Sequence, residues 1–301
     1  MNPRRRAPAG LFAGLCTVDL IYRVPALPQP NSKNVASSQL VFAGGPATNA
    51  AITYALLGGE ATLVSALGTH PLASVPHAEL SSNSIRFTDL ASSFAGIPAV
   101  SSIFVDESNG NRIVVSANAG AIASHPRALP ADLHLELASF ILFDGHHFDV
   151  LSPLLLEAKR RGLTAILDGG SWKPALEPVI GSFDVVIASG NFMPPGCIMH
   201  SDVIAFLQRT GVPRAVITRG HLPVLVSDQG ASSQIPVPSV AAVDTLGAGD
   251  VFHGAFCAAF FVQRLPFLDA LAFAAHVASL STTVQGTRAW VPLLEAHPVA
   301  P

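Results

Sequence analysis

The sequence predicts an α/β fold, a three-layer sandwich with a mostly parallel central sheet, helices on both faces and a small β lid. Three observations predict it. Short apolar, β-rich runs recur along the 301 residues, segments with one apolar helical face separate them, and two stretches break this rhythm. Alternation of that kind is the mark of βαβ units, whose crossovers lay helices on both sides of parallel strands.

The first strand is expected in LFAGLCTV, residues 11–18, which leads into Asp19. Arg4, Arg5 and Arg6 precede it and read as a solvated tail. The apolar run is only about eight residues, is broken by glycines and meets Asp19 without a small-residue cleavage site, so a secretory leader is not expected. ATLVSAL, FILFDG, LTAILDG, DVVIAS and RAVITRG supply the further strands. Between two of them, SPLLLEAKRRG has one apolar helical face, basic residues in its last turn and Gly162 as a stop. Residues 22–42, rich in Pro and Asn, and residues 96–117 interrupt the pattern. The latter reads as a hairpin, because Asn109-Gly110 tolerates the positive φ of a type I′ turn. These two stretches are expected to form the lid. No repeat or low-complexity linker divides the chain, so residues 1–301 are expected to be one domain.

Bulk properties narrow the function. Net charge is −3 with no basic stripe, which argues against electrostatic capture of nucleic acid. Half the residues are hydrophobic, yet none of the runs approaches the roughly 18 unbroken apolar residues of a membrane span. Cys16, Cys197 and Cys257 lie far apart, without zinc or disulfide spacing, which fits a reducing, cytoplasmic setting. A small-molecule partner is expected.

In parallel sheets ligands collect beyond the carboxyl ends of the strands, so Asp19, Asp144, Asp168 and Gly220 gain weight there. Each also reads as an ordinary turn residue or cap. The most informative stretch is AVDTLGAGDVFHGA, where Gly247, Ala248 and Gly249 feed an apolar helix expected over about 250–262. Small residues let a phosphate approach the backbone, and free N–H groups with the helix dipole stabilise negative charge. Asp250 at its mouth suits a base that takes a proton from an attacking hydroxyl. It equally suits a helix N-cap, and spacing alone leaves both readings open.

DTLGAGD, residues 244–250, resembles the carboxy-terminal signature of ribokinase-like (PfkB) sugar kinases, and GGPATNAA, residues 44–51, resembles the amino-terminal one. The resemblance runs from the first strand to AHVASLSTTVQGTRAWVP. It implies a ribokinase-like fold and an ATP-dependent kinase acting on a hydroxyl of a small sugar, with Asp250 as base and Gly247, Ala248 and Gly249 as the anion hole. By the same resemblance Asp19, Gly44, Gly45, Asn49 and Asp144 contact the substrate. Lys173, Asn191, Thr218, Arg219, Gly220, His276 and Gly286 are implied at the nucleotide. Asp244 and the Leu246 carbonyl are implied at a monovalent cation site, so Mg²⁺, ATP and potassium are the expected ligands. Lids of such kinases pair into dimers, and a homodimer through the lid is expected here. A nucleoside kinase of the same family, or a retired sugar- or nucleotide-binding regulator, is the alternative.

The sequence departs from the family pattern in three places. Pro194 stands where Asn-x-x-Glu carries its magnesium-organising glutamate. Pro223 replaces the second glycine of T-x-G-x-x-G, and GTHPLASVP lacks the usual G-x-D-x-x-G.

Overall fold

The computed structural model describes residues 7–108, 110–125, 127–130, 133 and 135–296. The Arg4 to Arg6 run and Asn109, the first residue of the expected hairpin turn, lie outside the described residues.

In chain order, β1 (Ala9–Ala13) is followed by β2 (Thr17–Val24), β3 (Ser38–Gly44), α1 (Pro46–Leu56), β4 (Glu60–Ser65), α2 (Ser74–Ser82) and β5 (Arg86–Asp89). Then come β6 (Val100–Asp106), β7 (Arg112–Ser116), β8 (Ala138–Phe143), α3 (Phe148–Arg161), β9 (Thr164–Gly169), β10 (Val185–Ser189) and α4 (His200–Arg209). The hairpin strands β11 (Arg214–Arg219), β12 (Leu222–Asp228) and β13 (Ala231–Ile235) precede α5 (Ala248–Cys257), α6 (Phe267–Ser281) and α7 (Val291–Ala296).

Nine strands form the central sheet in the order β13-β12-β11-β10-β9-β8-β1-β4-β5, parallel except for the β11-β12-β13 edge. Period-2 alternation sorts its side chains into two cores. Phe12, Leu142, Ile166, Ile187 and Val216 pack with α1, α5 and α6 on one face. Ala13, Ile141, Leu167, Val186 and Ile217 pack with α3 and α4 on the other. This is the three-layer architecture that the βα rhythm predicts.

Local signals explain the helix ends. Pro46 starts α1, where the missing N–H costs nothing. The chain leaves α3 through Gly162, in the left-handed conformation at φ 69°. The apolar helix expected after the Gly-Ala-Gly loop, α5, begins two residues before the expected Asp250, and its expected second half is a π-helical turn over Ala258–Val262.

A second sheet, ordered β3-β2-β6-β7, stands apart from the first. It corrects the expected first strand. The core strand ends at Ala13, and Thr17–Val24 belongs to the second sheet, so Asp19 lies there and not at the end of a core strand. Gly14 marks the crossing. A β-carbon on it would stand 2.1 Å from Asp144 Oδ1, so only glycine lets the chain pass this close. On β2, Asp19 and Ile21 share one face. Ile21, Ile103 and Val105 pack there with Leu40, Phe42 and Leu246, the residue just ahead of Gly247. That face is therefore turned toward the loop leading into α5.

Candidate active site

The two signature stretches meet in space. Asn49 is buried in the first turn of α1, and its Nδ2 donates to Oδ2 of Asp250 at 2.7 Å. Gly247 caps α5 in the left-handed region at φ 70°. A β-carbon there would stand 3.0 Å from the Thr287 methyl, with Asn49 Nδ2 and Asp250 Oδ2 a little further off. Among the described residues no side chain caps α5; the Ala248 N–H reaches the Thr245 carbonyl at 3.4 Å and the Val251 N–H the Gly247 carbonyl at 2.9 Å, which leaves the N–H groups of Gly249 and Asp250 available to an oxygen ligand. Beside Gly249 a β-carbon would meet nothing within 4 Å, so this side of the turn is open.

Gly44 and Gly45 are each required by a close approach. A β-carbon on Gly44 would lie 2.0 Å from Asp19 Oδ2, and one on Gly45, at φ 97°, would lie 2.3 Å from the Leu15 carbonyl oxygen. The pair thus brings the start of α1 under the Asp19 carboxylate. Thr17 Oγ1 donates to Asp19 Oδ1 at 2.6 Å. Burial pushes the Asp19 carboxyl above its usual range, with the Thr17 hydroxyl opposing.

Electrostatics single out Asp250. Burial, and then the neighbouring Asp168 carboxylate, push it up to about 7, while the Asn49 hydrogen bond and His253 pull the other way. Asp168 ends β9 and is itself raised by burial, with His253 opposing. The His253 ring acts on both carboxyls. Its Nδ1 lies 2.7 Å from the Gly249 carbonyl and 3.5 Å from Asp168 Oδ2, and its Nε2 lies 3.1 Å from the Ile187 carbonyl. The first turn of α5 is thereby tied to β10.

Asp144, expected at the substrate, accepts several of the protein's own N–H groups. Its Oδ2 accepts from Leu15 N at 2.8 Å and Ala47 N at 3.1 Å, and its Oδ1 accepts from His146 N at 2.8 Å. It joins β8 to the ends of β1 and α1. Lys173 leans on the same spot, its Nζ donating to the Asp144 carbonyl at 3.2 Å.

The residues expected at the nucleotide follow the strand ends in sheet order. Asn191 lies just past β10, Thr218 and Arg219 end β11, and Gly220 makes the tight turn into β12 at φ 62°. The Arg219 guanidinium is turned onto its own hairpin, where Nε donates to the Pro223 carbonyl at 3.0 Å. His276 lies on α6, its Nε2 buried without a hydrogen-bond partner. Asp244, expected at a cation with the Leu246 carbonyl, ties two loops together. Its Oδ1 accepts from Leu246 N at 2.9 Å and its Oδ2 from Gly286 N at 3.0 Å. Among the described residues no group of three or more His, Cys, Asp or Glu side chains is arranged to hold a metal ion.

Sequence reading passed over three residues of this neighbourhood. His253 follows Asp250 by three positions, which on a helix is the same face and so was a usable signal. Arg288 stands two residues beyond Gly286, inside the resembling segment, and donates to Asn49 Oδ1 at 2.9 Å. Glu79, its ion-pair partner at 2.8 Å, sits on α2 with no motif to mark it.

Known proteins resemble this chain along nearly its whole length. A family model described as "pfkB family carbohydrate kinase" matches residues 11–167 and 198–293. The chain is 24% identical over 298 residues to ribokinase of Staphylococcus aureus, an alignment covering 95% of this chain and 97% of that one. It is 25% identical over 292 residues to deoxyribokinase of Salmonella typhimurium, covering 92% and 94%. Among solved structures it is similar to a ribokinase candidate from Agrobacterium tumefaciens, with TM-score 0.84, 24% identity and 97% of each chain covered. The Arabidopsis thaliana ribokinase complexed with ribose and ATP superposes with TM-score 0.74 at 22% identity, covering 96% of this chain and 99% of that one. These structural likenesses carry the fold, whereas the family match takes in both signature stretches that meet at Asn49 and Asp250. On that match the chain belongs to the pfkB family of carbohydrate kinases.

Proposed function

We propose that the protein transfers the γ-phosphoryl group of ATP to a hydroxyl, most simply a primary one, of a small free sugar. The observation that carries this reading is the placement of Asp250, half-buried and held by Asn49 in the first turn of α5, which no side chain among the described residues caps. Asp250 takes the proton of the acceptor hydroxyl as its oxygen forms the new bond to phosphorus. The bond to the leaving oxygen breaks, and ADP departs with that electron pair. The N–H groups of residues 247–250 meet the charge that develops on the transferred group. Asp19, Gly44, Gly45 and Asn49 hold the acceptor's hydroxyls, since carboxylate and amide groups satisfy several donors and acceptors at once.

Mg²⁺ supplies charge neutralisation on the phosphates when bound. Pro194, at the position of the family's glutamate, has no side-chain ligand atom, so the ion comes mainly with the nucleotide. Lys173, Asn191, Thr218, Arg219, Gly220, His276 and Gly286 remain the nucleotide-side set, and Asp244 with the Leu246 carbonyl the place for potassium. The second sheet serves as a lid that keeps water from competing as acceptor. Its outer face carries Tyr22, Val41, Phe104, Ile113 and Val115 by strand pairing, which suits a homodimer. Three free cysteines, two of them buried, suit a reducing cytoplasm.

The test is ADP release from Mg-ATP against pentoses, hexoses, ketoses, sugar acids and nucleosides, with and without potassium. Sugar-dependent turnover supports the reading, and a response to nucleosides alone replaces it with a nucleoside kinase. Pro194 favours one second reading, a regulator that binds these ligands without turnover. Thermal shifts with sugar and ATP analogues but no ADP from any acceptor would select that one.

A further inference from the structure

Arg288 reaches the candidate base through Asn49. The Asn49 amide has one donor end and one acceptor end, and a guanidinium has donors only. Arg288 Nη2 lies 2.9 Å from Asn49 Oδ1, which leaves Nδ2 facing Asp250 Oδ2 at 2.7 Å. Turned the other way, the amide would set its oxygen against the Asp250 carboxylate and its N–H groups against a cation. Both contacts would then be repulsive.

Arg288 is itself aimed. Its Nε donates to Glu79 Oε1 at 2.8 Å and its Nη2 also donates to the Ala43 carbonyl at 3.1 Å, while Glu79 Oε2 accepts from Ala43 N at 2.7 Å. Ala43 is on β3, the edge strand of the second sheet, one residue before the Gly44-Gly45 approach. Its N–H and C=O thus meet a side-chain pair where a further strand would stand. The Glu79 and Arg288 side chains are only 15% and 17% exposed, so this pair is well removed from the screening that makes surface pairs weak. Fully buried Trp290, whose Nε1 donates to the Thr287 carbonyl at 3.0 Å, fixes the backbone on which Arg288 stands.

We infer that Arg288, aimed by Glu79, is a positioning residue that sets the orientation of the Asn49 amide toward Asp250 and couples the edge strand of the second sheet to it. The functional meaning of this relay rests on the reading of Asp250 as base. The groups facing Asp250 are Asp168 from the end of β9, Asp144 from the end of β8, His253 on its own helix and the neutral Asn49 from α1. Around Arg288 stand Glu79 and, on β2, Asp19. Of the groups facing Asp250, Asn49 and His253 favour its carboxylate, so losing the aim of Asn49 raises the pH at which Asp250 ionises.

The experiment follows the Asn49 side-chain amide by NMR through a pH titration of the ligand-free protein. It compares the native chain with Arg288→Gln, Arg288→Lys and Glu79→Gln. A native midpoint that moves to higher pH in Arg288→Gln and Glu79→Gln, and less in Arg288→Lys, is expected. In turnover assays kcat should fall about tenfold in Arg288→Gln, with the KM for ATP unchanged. Midpoints that coincide in all folded variants overturn the relay, and Arg288→Lys keeps the comparison alive where Arg288→Gln does not fold. Asp250→Asn separates the two ideas. Normal turnover in that variant sinks the base reading and leaves the amide orientation to the titration, whereas an inactive Asp250→Asn beside an unmoved Arg288→Gln titration sinks the relay alone.

Discussion

Asn49 Nδ2 lies 2.7 Å from Asp250 Oδ2, so one hydrogen bond joins residues 201 positions apart in the chain. A carboxylate held that way has one oxygen engaged and the other free to take a proton. Asp250→Asn keeps the shape and the helix start but removes the base. Turnover should fall by about two to four orders of magnitude, the usual contribution of a positioned general base. Sugar binding, followed by thermal shift, should change little. Steady-state rates close to native would remove Asp250 from the proposed role.

The pH profile follows from the same environment. Burial, then Asp168, raise the Asp250 carboxyl to about 7, and a base works only once it has lost its proton. Activity should therefore be present above that point and drop as pH falls through it, on the acid limb of kcat/KM. Removing the Asp168 charge lowers the Asp250 pKa, so Asp168→Asn should move the limb to lower pH. An acid limb that stays in place in Asp168→Asn would mean that Asp168 does not act on the ionisation that limits the rate.

Gly44 and Gly45 should fail differently when changed to alanine. A β-carbon at Gly44 meets the movable Asp19 carboxylate at 2.0 Å, so Gly44→Ala should fold and bind the acceptor sugar poorly, read as a raised KM. At Gly45 the obstacle is the Leu15 backbone oxygen at 2.3 Å, compounded by φ 97°. Backbone cannot step aside as a side chain can. Gly45→Ala should lower stability by about 1–3 kcal/mol in urea unfolding. Equal stability losses in both variants would contradict the distinction.

Much of this was legible in the sequence because it is local. The βα rhythm shows the central sheet, since parallel strands buried on both faces read as continuous apolar runs. DTLGAGD and GGPATNAA mark their two loops because each needs small residues at fixed offsets. The crossing at Gly14 was not legible, for the run LFAGLCTV stays apolar while it leaves one sheet and enters another. Nor was the Glu79–Arg288 pair, which joins α2 to the segment before α7 and has no periodicity of its own. Asp144 shows a third limit. An aspartate at a strand end reads the same whether it faces a ligand or the protein's own N–H groups.

Asp144 allows a final prediction about stability. Burial alone would raise its carboxyl, but His146 and the N–H groups of Leu15 and His146 outweigh it and hold the group down at about 2. A depressed carboxylate contributes stability above its unfolded value of about 3.9, and that contribution is lost as pH falls toward the folded value. Asp144→Asn imitates the loss at neutral pH. Its amide keeps one acceptor oxygen, so part of the N–H set from Leu15, Ala47 and His146 would face an NH₂ group and stay unpaired. Leaving buried donors unsatisfied costs about 1–3 kcal/mol each, and more where a charge was involved. Urea unfolding should show a drop of about 3 kcal/mol at neutral pH. The difference from the native chain should shrink in acid as the native carboxylate protonates. Should Asp144→Asn match native stability while the KM for sugar rises sharply, Asp144 would be a substrate contact after all.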